Sequence, residues 1–316
     1  MNPHLTLGAT PDEAGTPGRP PAPGPWTHLD IADDPRQFTF ALISDRTGLA
    51  RPGVFERGIA ALNLLRPAFT VQLGDLIEGY TDDEDILAEA WAELDRIVAP
   101  LDMPLFLVPG NHDVSDDLAR RHWLGRYGRL HHHFRYKDVL FLVLDTQDPP
   151  VRQSPEALEA LAEMHAYAER DPEGFRRLVE TSIDWEGDQT MACVSEGQIA
   201  WAENVIRENA DARWTFVLMH QPVWQGEGHP AIHRIRAALG DRPYTMFAGH
   251  VHNYKNAVID GRDHIRLGPT GGLWVKAEGD NGNFDHITLI TMEPDGPHIA
   301  NVTLEGLRDH HGRPLT

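Results

Sequence analysis

Five short stretches of the chain carry side chains that could hold metal ions. They are Ser44-Asp45-Arg46-Thr47-Gly48, Gly74-Asp75-Leu76-Ile77-Glu78, Gly110-Asn111-His112-Asp113, His220-Gln221 and Gly249-His250-Val251-His252. Carboxylate, amide and imidazole donors without a thiolate suit Mn, Fe or Zn. The single cysteine, Cys193, excludes an intrachain disulfide and any Cys-cluster zinc or iron–sulfur site. Taken alone, each piece has a plainer explanation. An Asp after a strand commonly caps a helix, and a lone histidine such as His220 commonly sits in a core or on a surface. The shared context carries the weight, because each stretch follows a short apolar run, at once or after a single proline.

Those runs are Phe38 to Ile43, Ala68 to Leu73, Leu105 to Val108, Val139 to Leu144, Trp214 to Met219 and Thr245 to Ala248. They are short and rich in β-branched and aromatic residues, as strands buried on both faces are. Between them lie helical stripes: Phe55, Ile59 and Leu62 before Pro67, then Leu87, Trp91, Leu94 and Val98. A further helix opens at Ser195 with Gln198 at capping-box spacing. Alternating strands and helices predict an α/β fold, and the carboxyl edge of such a sheet is where ligands bind. His286 to Met292 and Pro297 to Leu304 read as strands with no helix between them, so an antiparallel finish is expected.

The chain is strongly acidic, with 28 Lys plus Arg against 48 Asp plus Glu and a net charge of −20. That field repels polyanions, which counts against nucleic acid or anionic lipid as partner. No apolar run approaches a membrane span, and residues 1–25 lack the apolar region of a secretory signal. A cytoplasmic location is the expectation. Residues 3–25 hold seven prolines and four glycines and few large apolar side chains, a composition of disordered tails. One domain is expected over 26–316, interrupted at about 148–194. There Ser154-Pro155 and Asp171-Pro172 announce two helix starts.

The ordered set of strand-end motifs resembles the calcineurin-like metallophosphoesterase superfamily. Its signature runs Asp-x-His, Gly-Asp, Gly-Asn-His-Asp/Glu, His and Gly-His-x-His, and the likeness spans about Phe38 to Gly272, through Gly268-Pro269-Thr270-Gly271-Gly272. The resemblance implies a two-sheet sandwich flanked by helices and a dinuclear centre of divalent or trivalent Mn, Fe or Zn. It implies that Asp75 bridges both ions, that Asp45 and His252 hold the first, and that Asn111, His220 and His250 hold the second. His112 would stand beside the metals to stabilise charge or protonate the leaving oxygen, with Asp113 orienting it. The implied activity is hydrolysis of a small phosphomonoester or phosphodiester by a metal-bridging hydroxide. A non-catalytic member of the same fold and a nuclease are the competing readings; a nuclease would need a basic groove with interleaved aromatics.

One position departs from the pattern. The family's first histidine is Thr47 here, and a neutral hydroxyl is a poor ligand. The purple acid phosphatase branch also lacks that histidine and uses a tyrosine three positions after the bridging aspartate, which here is Glu78. Glu78, or else Thr47 or water, could therefore complete the first site, and the remaining alternative is a vacant position. Arg46 is a candidate for binding substrate phosphate in bidentate fashion. The insertion is expected to cap the cleft and restrict substrate size, with Trp185 and Trp224 as walls and Leu158, Leu161, Phe175 and Leu178 needing cover. His131, His132 and His133 read as a solvated turn, and Cys193 as a small buried thiol.

Overall fold

The computed structural model describes residues 34–150, 153–182, 192–226, 228–274, 282, 284–307, 311 and 313. The Pro/Gly-rich tail and Trp185 lie outside the described residues. In chain order the strands are β1 (Phe38–Ile43), β2 (Thr70–Gln72), β3 (Leu105–Leu107), β4 (His132–Tyr136), β5 (Val139–Val143), β6 (Trp214–Leu218), β7 (Tyr244–Ala248), β8 (Lys255–Ile259), β9 (Arg262–Arg266), β10 (His286–Glu293) and β11 (Gly296–Thr303). The helices are α1 (Val54–Leu65), α2 (Glu84–Val98), α3 (Asp117–Tyr127), α4 (Pro155–Arg170), α5 (Pro172–Ser182), α6 (Glu196–Glu208) and α7 (Pro230–Leu239).

β1 is apolar on both faces because both are covered. Phe38, Phe40 and Leu42 enter a layer between two sheets, whereas Ala41 and Ile43 meet the helices α1 and α2. One sheet has the order β11-β10-β1-β2-β3 and the other β4-β5-β6-β7-β9-β8. The strands β1, β2 and β3 run parallel, as do β5, β6, β7 and β9. β10 pairs antiparallel with both β1 and β11, the expected antiparallel finish. Aromatic rings lock the sheets together: Phe40 lies 5.3 Å from Phe69, 5.1 Å from Phe141 and 5.0 Å from Phe216, centroid to centroid. On the far side, Leu140, Leu142, Val217 and Met246 pack under α6 and α7. The result is helix, sheet, sheet, helix.

Three strands were not foreseen. His132 and His133 begin the edge strand β4 instead of a solvated turn, and burial pushes His132 down to about 4. β8 and β9 form a hairpin closed by Asp260-Gly261, both at positive φ (50° and 71°).

The interruption after β5 is a helical hairpin. Ser154 caps α4 through the amide of Ala157 (3.2 Å), and the Asp171 carboxylate takes the amide of Gly174 (2.9 Å) at the start of α5. Gln147 and Cys193 pair as a short parallel bridge, so the hairpin leaves and rejoins the domain at one point. Phe175 is buried against Leu49 and Leu273, Leu158 and Leu161 are half-buried, and Leu178 stays 46% exposed. Ser195 caps α6 as expected, but the side chain of Gln198 turns to the backbone of Asp145 instead of closing a capping box. Among the described residues no helix is long and apolar enough to cross a membrane.

Candidate metal centre

Asp45 follows β1, Asp75 follows β2, Asn111 follows β3, His220 follows β6, and His250 and His252 follow β7. Because these five strands run parallel within their sheets, all six side chains arrive at one edge of the sandwich. Two groups form there, Asp45 with Asp75 and His252, and Asp75 with His220 and His250; within each the ligand atoms lie within 4.8 Å of one another. Asp75 belongs to both. Asn111 joins the second group, its Oδ1 lying 3.0 Å from His220 Nε2.

The backbone aims these side chains. The His220 Nδ1–H donates to the carbonyl of Leu73 (2.8 Å), and Nε2 faces Asp75 Oδ2 at 3.1 Å. The His252 Nδ1–H donates to the carbonyl of Leu273 (2.5 Å), leaving Nε2 3.4 Å from Asp45 Oδ1. Fixing Nδ1 on a carbonyl is how a protein presents Nε2 to a metal. Four of the six residues sit in left-handed backbone: Asp45 at φ 40°, Asp75 at 59°, His250 at 73° and His252 at 56°. Non-glycine residues in that region are strained, and such strain collects at functional sites. Two glycines permit the close approach. A Cβ on Gly110 would lie 2.2 Å from the Asp75 carboxylate, and one on Gly249 would lie 2.4 Å from that of Asp45.

The electrostatics are those of a site built for cations. Burial alone would raise Asp75, but His220 and His112 hold it well below the ordinary carboxylate range. Burial would lower His220, yet the Asp75 carboxylate overrides this and lifts it to about 9. Burial and then His220 push His250 down to about 3, so its imidazole stays neutral and able to donate to a metal. Without a metal the His220 imidazolium offsets the Asp75 charge, and a bound ion would take the place of that proton. The oxygen and nitrogen donor set fits a pair of transition-metal ions.

His112 stands beside the groups, with Nε2 3.9 Å from Asp75 Oδ2. Its Nδ1–H donates to the carbonyl of Glu78 (2.7 Å), so Glu78 and not Asp113 orients the ring. Asp113 instead accepts the amides of Asp75 (2.9 Å), Leu76 (2.7 Å), Ile77 (3.2 Å) and Gly110 (2.9 Å), clamping two ligand loops together. Burial and the adjacent Asp75 charge push it up to about 7.

Four further expectations are corrected. The Glu78 carboxylate lies outside both ligand groups because it accepts the amides of Gly48 (3.3 Å) and Ala50 (3.0 Å). The Thr47 hydroxyl donates to the carbonyl of Ile77 (2.9 Å). Arg46 is buried, donates to the carbonyl of Leu76 (2.9 Å) and pairs with Glu93 of α2 (3.0 Å), so it staples a loop and does not face a substrate. Trp224 packs in the core under α7, beside His264, and forms no wall of the cleft.

Two residues escaped sequence reasoning. Tyr80 accepts the Asn111 Nδ2–H at 3.0 Å, which turns the amide oxygen toward the second group. His165 of α4 brings Nε2 to 4.0 Å from Glu78 Oε2, so the inserted hairpin reaches the rim of the site. Tyr80 follows the Gly-Asp motif closely enough to have been suspected; nothing local marks His165.

A family model described as calcineurin-like phosphoesterase matches residues 38–254. No curated protein matches the sequence. Among solved structures, a dimetal phosphatase from Danio rerio is similar at 16% identity and TM-score 0.55, over 84% of this chain and 98% of that one. The purple acid phosphatase PPD1 from yellow lupin (Lupinus luteus) is similar at 12% identity and TM-score 0.54, over 84% and 51% respectively. PhoD is similar at 14% identity and TM-score 0.53, over 84% and 68%. At such identities these likenesses speak for the fold.

Proposed function

The chain belongs to the calcineurin-like phosphoesterase family, and from that premise we propose that it hydrolyses small phosphate esters at the paired ligand groups. The observation that carries this reading is the sharing of Asp75 by both groups, which suits two Mn, Fe or Zn ions held side by side. Such ions, when bound, supply an activated water and neutralise charge on the phosphoryl oxygens. The remaining work falls to this chain. His112, anchored through Nδ1 by the Glu78 carbonyl, keeps Nε2 toward the centre, where it can stabilise the charged oxygens or give a proton to the departing alcohol. Asp113 holds the Asp75 and Gly110 loops in register. The net charge of −20 favours a small ester over a nucleic acid.

The α4–α5 hairpin supports a further part of this reading. It rests through Phe175 on Leu49 and Leu273, neighbours of the Asp45 loop and of the carbonyl that fixes His252. We assign it the role of a cap that limits substrate size.

The test is direct. Protein loaded with Mn, Zn or Fe should cleave members of a monoester and diester panel, p-nitrophenyl phosphate and its bis ester included. Asp75→Asn should abolish most turnover together with at least one bound metal. Absence of metal-dependent hydrolysis across such a panel would overturn the proposal.

A further inference from the structure

The inserted hairpin meets the rest of the domain at one strained turn, and it grips that turn from two sides. Leu49 lies in left-handed backbone at φ 65°, a conformation that non-glycine residues hold only where the surroundings enforce it. Phe175 of α5 packs on Leu49. On either side of Leu49 the amides of Gly48 and Ala50 donate to the Glu78 carboxylate, at 3.3 Å and 3.0 Å. His165 of α4 stands against that same carboxylate, its Nε2 4.0 Å from Oε2. We propose that His165 is a positioning residue for His112, acting through Glu78, so that the hairpin helps to set the working histidine as well as covering the cleft. The inference rests on the role given to His112 above.

Glu78 is the joint of this arrangement. Its carbonyl accepts the Nδ1–H of His112 at 2.7 Å, and its Oε2 lies 3.8 Å from the same nitrogen. The next residue, Gly79 at φ 56°, is pressed against His112: a Cβ there would lie 1.8 Å from the His112 carbonyl oxygen. A displacement of Glu78 is therefore passed to the His112 ring.

The Glu78 side chain is itself 36% exposed, and a glutamate near solvent gives up rotamer freedom when it is held still. A carboxylate offers about four acceptor positions. The Gly48 and Ala50 amides occupy one on each oxygen, and the hairpin presents His165 to Oε2. Phe175 also meets Tyr167 of α4, the ring centroids 5.9 Å apart, so the seat of α5 fixes the helix that carries His165. Without His165 the carboxylate is free to turn to water and release the two amides. The carbonyl that fixes His112 then loses its anchor.

The experiment separates position from contact with substrate. In long-range proton–nitrogen correlation spectra of the metal-free protein, neutral His112 should show one tautomer, with its proton on Nδ1. His165→Ala should mix the two tautomers. In metal-loaded protein the same variant should lower kcat about 10- to 100-fold, with KM unchanged for small and large esters alike. His165→Gln, which keeps a donor at similar reach, should recover most of that loss. In a His112→Ala background His165→Ala should cost nothing further, because its effect runs through the missing ring. An unmixed tautomer in His165→Ala, no recovery in His165→Gln, or losses that multiply in the double variant would overturn the proposal. A change confined to KM for bulky esters would also overturn it and make His165 a wall of the cap. Protein that hydrolyses no ester would sink the activity proposed above, while the tautomer spectra would still decide the role of His165.

Discussion

His112 shows what a single residue gains from its neighbours. Because a carbonyl can only accept, the Glu78 carbonyl fixes the proton on Nδ1 and leaves Nε2 as the atom turned toward Asp75. His112→Ala should lower kcat by about 10²–10⁴-fold with metal content unchanged. The loss should shrink for good leaving groups such as nitrophenolate if Nε2 protonates the departing oxygen; uniform loss across leaving groups assigns it to charge stabilisation instead. Tyr80 acts at one remove, by holding the Asn111 amide with its oxygen inward. Tyr80→Phe keeps the ring against His112, whose centroid lies 4.8 Å away, but removes the acceptor. Affinity for the ion beside Asn111 should fall about 10-fold. Isothermal titration of Tyr80→Phe showing wild-type affinity would remove Tyr80 from the site.

At the scale of elements, the α4–α5 hairpin can be separated from the rest. Its two ends meet at the Gln147–Cys193 bridge, so residues 150–192 can be replaced by a short Gly-Ser link without stretching the chain. The shortened protein should keep its metal-binding capacity and accept larger esters relative to small ones. An unchanged kcat/KM profile over a size-graded ester series, in a protein that still folds and binds metal, would show the hairpin to be a packing element. Elements also show where sequence reading failed. The hairpin β8–β9 was signalled by Asp260-Gly261, a two-residue turn of the favoured kind. Its flanks, Lys-Asn-Ala-Val-Ile and Arg-Asp-His-Ile-Arg, alternate too weakly to announce strands. β4 was hidden for a related reason: an edge strand needs no continuous apolar run.

For the whole molecule, buried neutral histidines tie stability to pH. His286 on β10 lies between Tyr254 and Phe284, centroids 5.6 Å and 4.6 Å away, and burial pushes it down to about 4. The folded state therefore keeps it neutral, whereas the unfolded chain protonates it below about 6.5. Stability associated with His286 is full above that value. It is lost as pH falls through 6.5 toward 4, by up to roughly 1.4 kcal/mol per pH unit. His286→Leu should flatten the fall in Tm between pH 7 and pH 5, measured with chelator present so that metal binding does not contribute. Parallel curves for the two proteins would dismiss this residue as a source of the acid sensitivity.

By itself the sequence determined which residue types could meet a metal and at which strand ends they stand. Apolar runs ending in Asp45, Asp75, Asn111, His220 and His250 place those donors at the carboxyl ends of strands, and that follows from local pattern alone. It also determined the α/β class, the antiparallel finish and the helix starts at Ser154 and Asp171, since caps and strand periodicity are local. Only the tertiary structure decided which carboxylates face the centre. Glu78 and Thr47 lie beside the metal loops in sequence, yet both are drawn to backbone groups some 30 residues away. Asp113 clamps loops 36 to 38 residues distant, and Arg46 answers Glu93 of α2. His165 reaches Glu78 only because Phe175 seats its hairpin. Side-chain direction at a left-handed turn, and the partner that captures it, depend on groups brought together by packing, which spacing along the chain does not record.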